Sequence, residues 1–300
     1  AHKCTQLANL QSQYGHKTFT CATPREIIGM AAAGVGEDLL LANEVVDRDR
    51  LNSLAKVSEN VRVTVAVDSN ATIIAAASAG LRDVLIDVNV GLKRCGVAPQ
   101  LAGQLADFAR KQKMTVRGVM GYEGHLMMID GHEKRKLRVA ESMQLLARAA
   151  TDVGGEIISA GGTGTFDLHD ETCINELQAG SYALMDTHYA KLGLPFAQSC
   201  FVLGTVISTS KDWLVIDVGL KSLGMDHGNP TVDGFEVLFC SDEHTTLVPS
   251  KESASTKVSV GDKLRVVPAH IDPTMAMHEL AYLVRGDEII DSWSIDLRGW

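Results

Sequence analysis

The sequence predicts an α/β protein: a (β/α)8 TIM barrel lacking its first strand, followed by a C-terminal, mostly antiparallel β domain. Three observations carry this prediction. Over residues 1–192, short continuous apolar runs alternate with helical patterns, which makes a parallel sheet covered on both faces. Polar and small residues gather just after those runs, where a (β/α)8 barrel keeps its site. A doubly wound sheet places ligands there too, but the strand count and the opening helix select the barrel. From 193 to 300 helices nearly vanish, and strands punctuated by Gly and Asp take over.

The elements follow in order. Leu7, Leu10 and Tyr14 have helical spacing over 3–14. Lys17–Cys21 is β-rich, and Thr23-Pro24 opens a helix with Pro in the first turn. Leu39–Ala42 is a strand and Asp47–Ser58 a helix. Val61–Val67 is a strand, and Asp68-Ser69-Asn70 caps a helix over 71–81. Val84–Val90, Val116–Tyr122, Ile157–Ala160 and Ser181–Met185 complete the apolar series, with helices at 99–112 and 131–153. The second domain has strands at 201–208, 213–218, 235–240, 264–267, 282–285 and 288–295, and a Ser/Lys-rich mobile loop at 251–257.

Composition narrows the function. Hydrophobic residues are 45% and charged residues 22%, ordinary for a globular protein. No apolar run is long enough for a bilayer, and residues 1–6 lack a signal-peptide core. A net charge of -9 without a basic stripe argues against nucleic acid. Six scattered cysteines without Cys-x-x-Cys read as reduced thiols of a cytoplasmic protein.

Two stretches carry the chemistry. Gly161-Gly-Thr163-Gly164-Thr165 and Gly180-Ser181 each offer backbone and hydroxyl donors after a strand, and two such cups suit one phosphate. In Pro268-Ala-His270-Ile-Asp272-Pro, an extended backbone puts His270 and Asp272 on one face. One imidazole and one carboxylate form a half-shell for Mn²⁺, Mg²⁺ or Zn²⁺, with open positions for water or substrate.

Ala1-His-Lys-Cys, Asn43-Glu44-Val-Val, Arg94-Cys-Gly-Val, Gly161-Gly-Thr-Gly, Glu176-Leu-Gln-Ala-Gly-Ser-Tyr-Ala and His270-x-Asp272-Pro-Thr occur in this order over nearly the whole chain. In this the sequence resembles the D-threonine aldolase family. It is similar to the wider group of eukaryotic-type D-serine dehydratases and 3-hydroxyaspartate aldolases and dehydratases, which share the alanine racemase fold. The resemblance implies pyridoxal 5′-phosphate (PLP). Its phosphate would lie on Thr163, Gly164, Thr165, Gly180 and Ser181, with Arg94 beside its ring and Tyr122 near its pyridine nitrogen. It also implies a divalent metal on His270 and Asp272. Dehydratases of the group have Cys where this chain has Asp272, so the resemblance favours carbon–carbon cleavage.

The implied reaction is retro-aldol cleavage of a D-β-hydroxy amino acid to glycine and an aldehyde. His125 or a metal-bound water would act as base. The alternative is dehydration to a 2-oxo acid and ammonia, and a third reading is a PLP-binding protein without activity. The expected assembly is a homodimer. The family's Schiff-base lysine is expected immediately before Ala1; Lys3 falls three residues late, on the opening helix. The family's aldolase pattern has a histidine after the tyrosine, where this chain has Glu123-Gly124-His125.

Overall fold

Helical crossovers are the connection that parallel strands need, and the short apolar strands of residues 5–179 pair in parallel in sequence order. The computed structural model describes residues 1–251 and 258–299, so most of the Ser/Lys-rich stretch 251–257 lies outside the described residues. The chain divides into two compact units: one holds Thr5–Ala179, the other Ala1–Cys4 with Gly180–Gly299.

In the first unit, α1 (Thr5–Gln13) leads into β1 (Thr18–Cys21), α2 (Pro24–Ala32), β2 (Asp38–Leu41), α3 (Arg48–Val57), β3 (Arg62–Val67), α4 (Asn70–Ala79) and β4 (Asp83–Asp87). Then come α5 (Ala102–Lys111), β5 (Thr115–Met120), α6 (His132–Val153), β6 (Ile157–Ala160) and the two-residue β7 (Glu176–Leu177). Neighbouring strands β1 to β7 pair in parallel in that order, a curled sheet of barrel type. Leu40, Ala66, Leu85 and Met120, one from each of β2 to β5, pack as one cluster.

Helix starts are set locally. The Thr23 hydroxyl accepts from Glu26 N, while the Glu26 carboxylate accepts from Thr23 N at 2.9 Å, a reciprocal cap. Ser69 and Thr72 do the same for α4, which stops at Gly80 with φ 96. The cap matches the sequence pattern, whereas the helix read as reaching residue 81 stops at Gly80. Strand β5 carries a bulge: Val84 pairs with Val116 and Leu85 with Gly118, leaving Arg117 over. An extra residue re-aims a side chain, and Arg117 is turned into a buried ion pair with Asp38.

In the second unit, α7 (Thr187–Ala190) precedes β8 (Val202–Thr209), β9 (Leu214–Ile216), β10 (Thr231–Val232), β11 (Phe235–Cys240), β12 (Thr245–Pro249) and β13 (Lys263–Val267). These six strands close into an antiparallel barrel in the order β10-β11-β12-β9-β8-β13. Its interior is filled by Val206, Ile216, Leu247 and Val266, all fully buried; each such side chain contributes about 1.5–3 kcal/mol. Helix α8 (Ile271–Met277) and the hairpin of β14 (Leu280–Arg285) and β15 (Glu288–Ser294) follow. Among the described residues, no helix is long and apolar enough to cross a membrane.

Three expectations are corrected. Residues 181–185, read as a strand from apolarity, form a 3-10 turn over Ser181–Ala183, closed by Met185 N donating to Ser181 O at 2.7 Å. The His270–Asp272 segment is not extended: His270 caps α8 and Asp272 lies in its first turn. Lys3 precedes α1 and has φ 49.

Candidate active site

In the first unit the predicted residues lie where strands end. Arg94 follows β4, Tyr122 follows β5, and Gly161–Thr165 follows β6. The Arg94 guanidinium carbon lies 5.4 Å from the centroid of the Tyr122 ring, a cation–π distance. Both line a crevice with Asp87, Asn89 and Cys95.

The glycine turn is buried and tightly packed. Thr163 is 2% exposed and Thr165 fully buried. Gly161 has φ 80, and a Cβ on Gly162 would come within 2.9 Å of Met127 Sδ. Behind the turn lies Glu123, with no exposed surface. Its Oε2 accepts from Gly161 N at 3.0 Å, and its Oε1 accepts from the Thr165 hydroxyl at 2.6 Å. Nε2 of His169 lies 3.2 Å from the same Oε1. Burial alone pushes the Glu123 carboxyl up, but the hydrogen bonds from His169 and Thr165 and the charge of His169 outweigh it and hold the carboxyl below its ordinary value.

His125 sits on a 3-10 turn over Gly124–Leu126. Its ring lies against Gly91, where an added Cβ would be 2.7 Å from Nε2. Desolvation lowers the His125 pKa; Glu123 opposes this and Arg138 adds to it, for a net lowering. A neutral imidazole can accept a proton.

In the second unit, His270 and Asp272 are brought together although the backbone is not extended. His270 Nε2 lies 3.9 Å from Asp272 Oδ2. The start of α8 is fixed by buried Asp186, whose Oδ2 accepts from Ile271 N at 3.0 Å. Thr274 adds a second lock: its hydroxyl donates to His270 O at 2.7 Å and accepts from Gly224 N at 2.9 Å. The Ser181 hydroxyl donates to Asp272 Oδ2 at 2.9 Å, and Ala1 N lies 3.8 Å from Oδ1. A Cβ on the adjacent Gly180 would meet nothing closer than Ala1 Cβ at 3.4 Å.

Sequence reasoning missed Asp226 and His227. Asp226 lies 2.8 Å from His270 Nδ1, and His227 stacks on the His270 ring at 3.9 Å and 15°. Their signal was an acid–imidazole pair between Gly224 and Gly228. His169 gave none.

The donor chemistry fits both implied groups, with adjustments. Two ligand atoms each about 2.1 Å from one ion can be at most about 4.2 Å apart, and His270 and Asp272 meet that limit. The Asp226 contact occupies Nδ1 and leaves Nε2 to ligate. For a phosphorylated heteroaromatic ring, Arg94 and Tyr122 supply a cation and an aromatic face. Backbone amides at the glycine turn suit an anion. The hydroxyls of Thr165 and Ser181, however, donate to Glu123 and Asp272.

Comparison with known proteins gives a consistent result. The family model described as alanine racemase, N-terminal domain, matches residues 1–188, and a serine dehydratase domain model matches 199–284. The chain is 32% identical to D-threonine aldolase of Arthrobacter sp over 100% of its own length and 84% of the relative's. It is 30% identical to 3-hydroxy-D-aspartate aldolase of Paracoccus denitrificans (strain Pd 1222), over 99% and 83% of the two chains. The crystal structure of D-threonine aldolase from Filomicrobium marinum superposes with a TM-score of 0.91 at 32% identity, covering 99% of this chain and 86% of that one.

Proposed function

This chain belongs to the D-threonine aldolase family, built on the alanine racemase N-terminal domain, and on that premise we propose that it is a lyase cleaving D-β-hydroxy amino acids. The products are glycine and the aldehyde carrying the β-substituent. The observation that carries this reading is the His270–Asp272 pair, 3.9 Å apart, with Asp226 behind the imidazole.

Two cofactors serve the reaction. PLP, when bound, accepts the electron pair left at Cα when the Cα–Cβ bond breaks. Arg94, Tyr122, Thr163 and Gly164 would hold and orient it. His270 and Asp272 would hold a divalent ion, which would lower the pKa of the β-hydroxyl. The oxygen ligand favours Mn²⁺ or Mg²⁺ over a softer ion. His125, neutral near pH 7, takes the β-hydroxyl proton. Buried Thr163 and the packed turn keep water from the cofactor side.

Asp272 also separates this reading from dehydration, in which the β-oxygen must leave and the α-proton must be lost. A divalent ion held by this hard carboxylate would stabilise the negative charge that builds on the β-oxygen during carbon–carbon cleavage. A homodimer is the proposed assembly, with exposed Leu280, Tyr282, Ile289 and Ile290 of the β14–β15 hairpin offering apolar surface to a second copy.

The metal assignment is tested with His270→Ala and Asp272→Ala. Each should abolish cleavage and Mn²⁺ binding, followed by electron paramagnetic resonance, while PLP absorbance is unchanged. Asp226→Ala should weaken Mn²⁺ binding about 10–100-fold, since it only orients His270. Full activity after exhaustive chelation would defeat the assignment.

A further inference from the structure

The glycine turn at 161–165 has the composition of an anion cup, yet an anion of the protein's own already occupies its inner side. Glu123 is fully buried, and three donors converge on its carboxylate: Gly161 N at 3.0 Å, the Thr165 hydroxyl at 2.6 Å and His169 Nε2 at 3.2 Å. The Thr165 hydroxyl in turn accepts from Gly162 N at 3.2 Å. Each end of the turn is therefore tied, directly or through Thr165, to one carboxylate on the loop after β5. No glycine of the turn could carry a side chain without a collision: a Cβ on Gly161 would strike Leu177, one on Gly162 Met127 and one on Gly164 the Met127 backbone.

We propose that Glu123 is a positioning residue: by filling the inner donors of the Gly161–Thr165 turn it fixes the backbone that presents Thr163 and Gly164 to the phosphate of the cofactor. The proposal rests on the PLP reading above. It reassigns Thr165, which grips Glu123 and does not touch the phosphate.

The chemistry requires a carboxylate. Three donors meet it, so every lone pair directed at them must accept. A glutamine would turn an NH2 group toward one of those donors and leave a buried pair of donors facing each other. Glu123→Gln keeps the shape and removes the acceptor. Thr165→Val removes one hydroxyl and leaves Glu123 in place, so it tests the same idea if the glutamine variant does not fold.

The experiment measures affinity of the wild type, Glu123→Gln, Thr165→Val and the double variant for PLP and for pyridoxal, which lacks the phosphate. Each single variant should weaken PLP about tenfold, the scale of one lost charge-assisted hydrogen bond, and leave pyridoxal unchanged. The double variant should lose no more than Glu123→Gln alone, because both act through one contact. Additive losses would overturn the proposal, since Thr165 would then meet the phosphate itself. Equal losses for PLP and pyridoxal would also overturn it, because the effect would be general loosening of the unit. A wild type that binds neither would remove the cofactor reading and this proposal with it; a wild type that binds PLP beside variants that bind it equally well would remove only the proposal.

Discussion

Arg117 on β5 grips Asp38 at the start of β2: Nη1 lies 2.9 Å from Oδ1 and Nη2 2.7 Å from Oδ2. The same guanidinium reaches Thr64 on β3 at 2.6 Å and Glu156 ahead of β6 at 3.4 Å. Its side chain is 6% exposed. One bulged residue thus ties four stretches of the sheet together. Asp38→Ala leaves the guanidinium buried without its main partner, which costs about 3–5 kcal/mol. Denaturant unfolding should show that loss, and a loss no larger than that of an exposed pair would refute the role.

Asp87 ends β4 among acidic neighbours. Burial first, and the charge of Glu44 next, push its carboxyl up to about 8. The Glu44 Oε1 atom is itself buried without a hydrogen-bond partner. The folded chain then keeps a proton on Asp87 that the unfolded chain releases near the ordinary 3.8. Between those values the folded state binds more protons, so this group makes stability fall as pH rises from about 4 to about 8. Asp87→Asn should match the wild type near pH 4 and melt higher at pH 8. A constant difference between the two proteins across that range would contradict this.

His125 lies on Gly91, whose φ of 129 and contact with the ring both exclude a side chain. His125→Asn should reduce turnover about 10²–10⁴-fold, the usual weight of a general base, with Mn²⁺ binding retained. Gly91→Ala should lower turnover through displacement of the ring, and should shift the pH–rate profile that His125 controls. Unaltered turnover in His125→Asn would assign the proton to another group.

What the sequence revealed depended on range. The parallel strands and the helix starts at Thr23 and Ser69 are set by neighbours within a few residues, and pattern alone located them. The His270–Asp272 pairing was found by the right spacing on a backbone only half as expected: His270 keeps extended dihedrals as the cap of α8, while Asp272 lies in the helix's first turn. The 3-10 turn at Ser181 was missed because the hydroxyl that fixes it is held by Asp272, 91 residues away. Glu123 looked like a departure from a motif because its partners lie 38, 42 and 46 residues on. Strands β10 and β12 had no periodic signal, the first being two residues long.

The aldolase reading stands most directly on the products. The enzyme, supplied with PLP and Mn²⁺, is incubated with D-threonine, and glycine with acetaldehyde is assayed separately from ammonia with 2-oxobutanoate. Glycine and acetaldehyde should form in equal amounts, and Asp272→Ala should abolish both. Ammonia and the 2-oxo acid without glycine would contradict the aldolase reading and assign the site to dehydration.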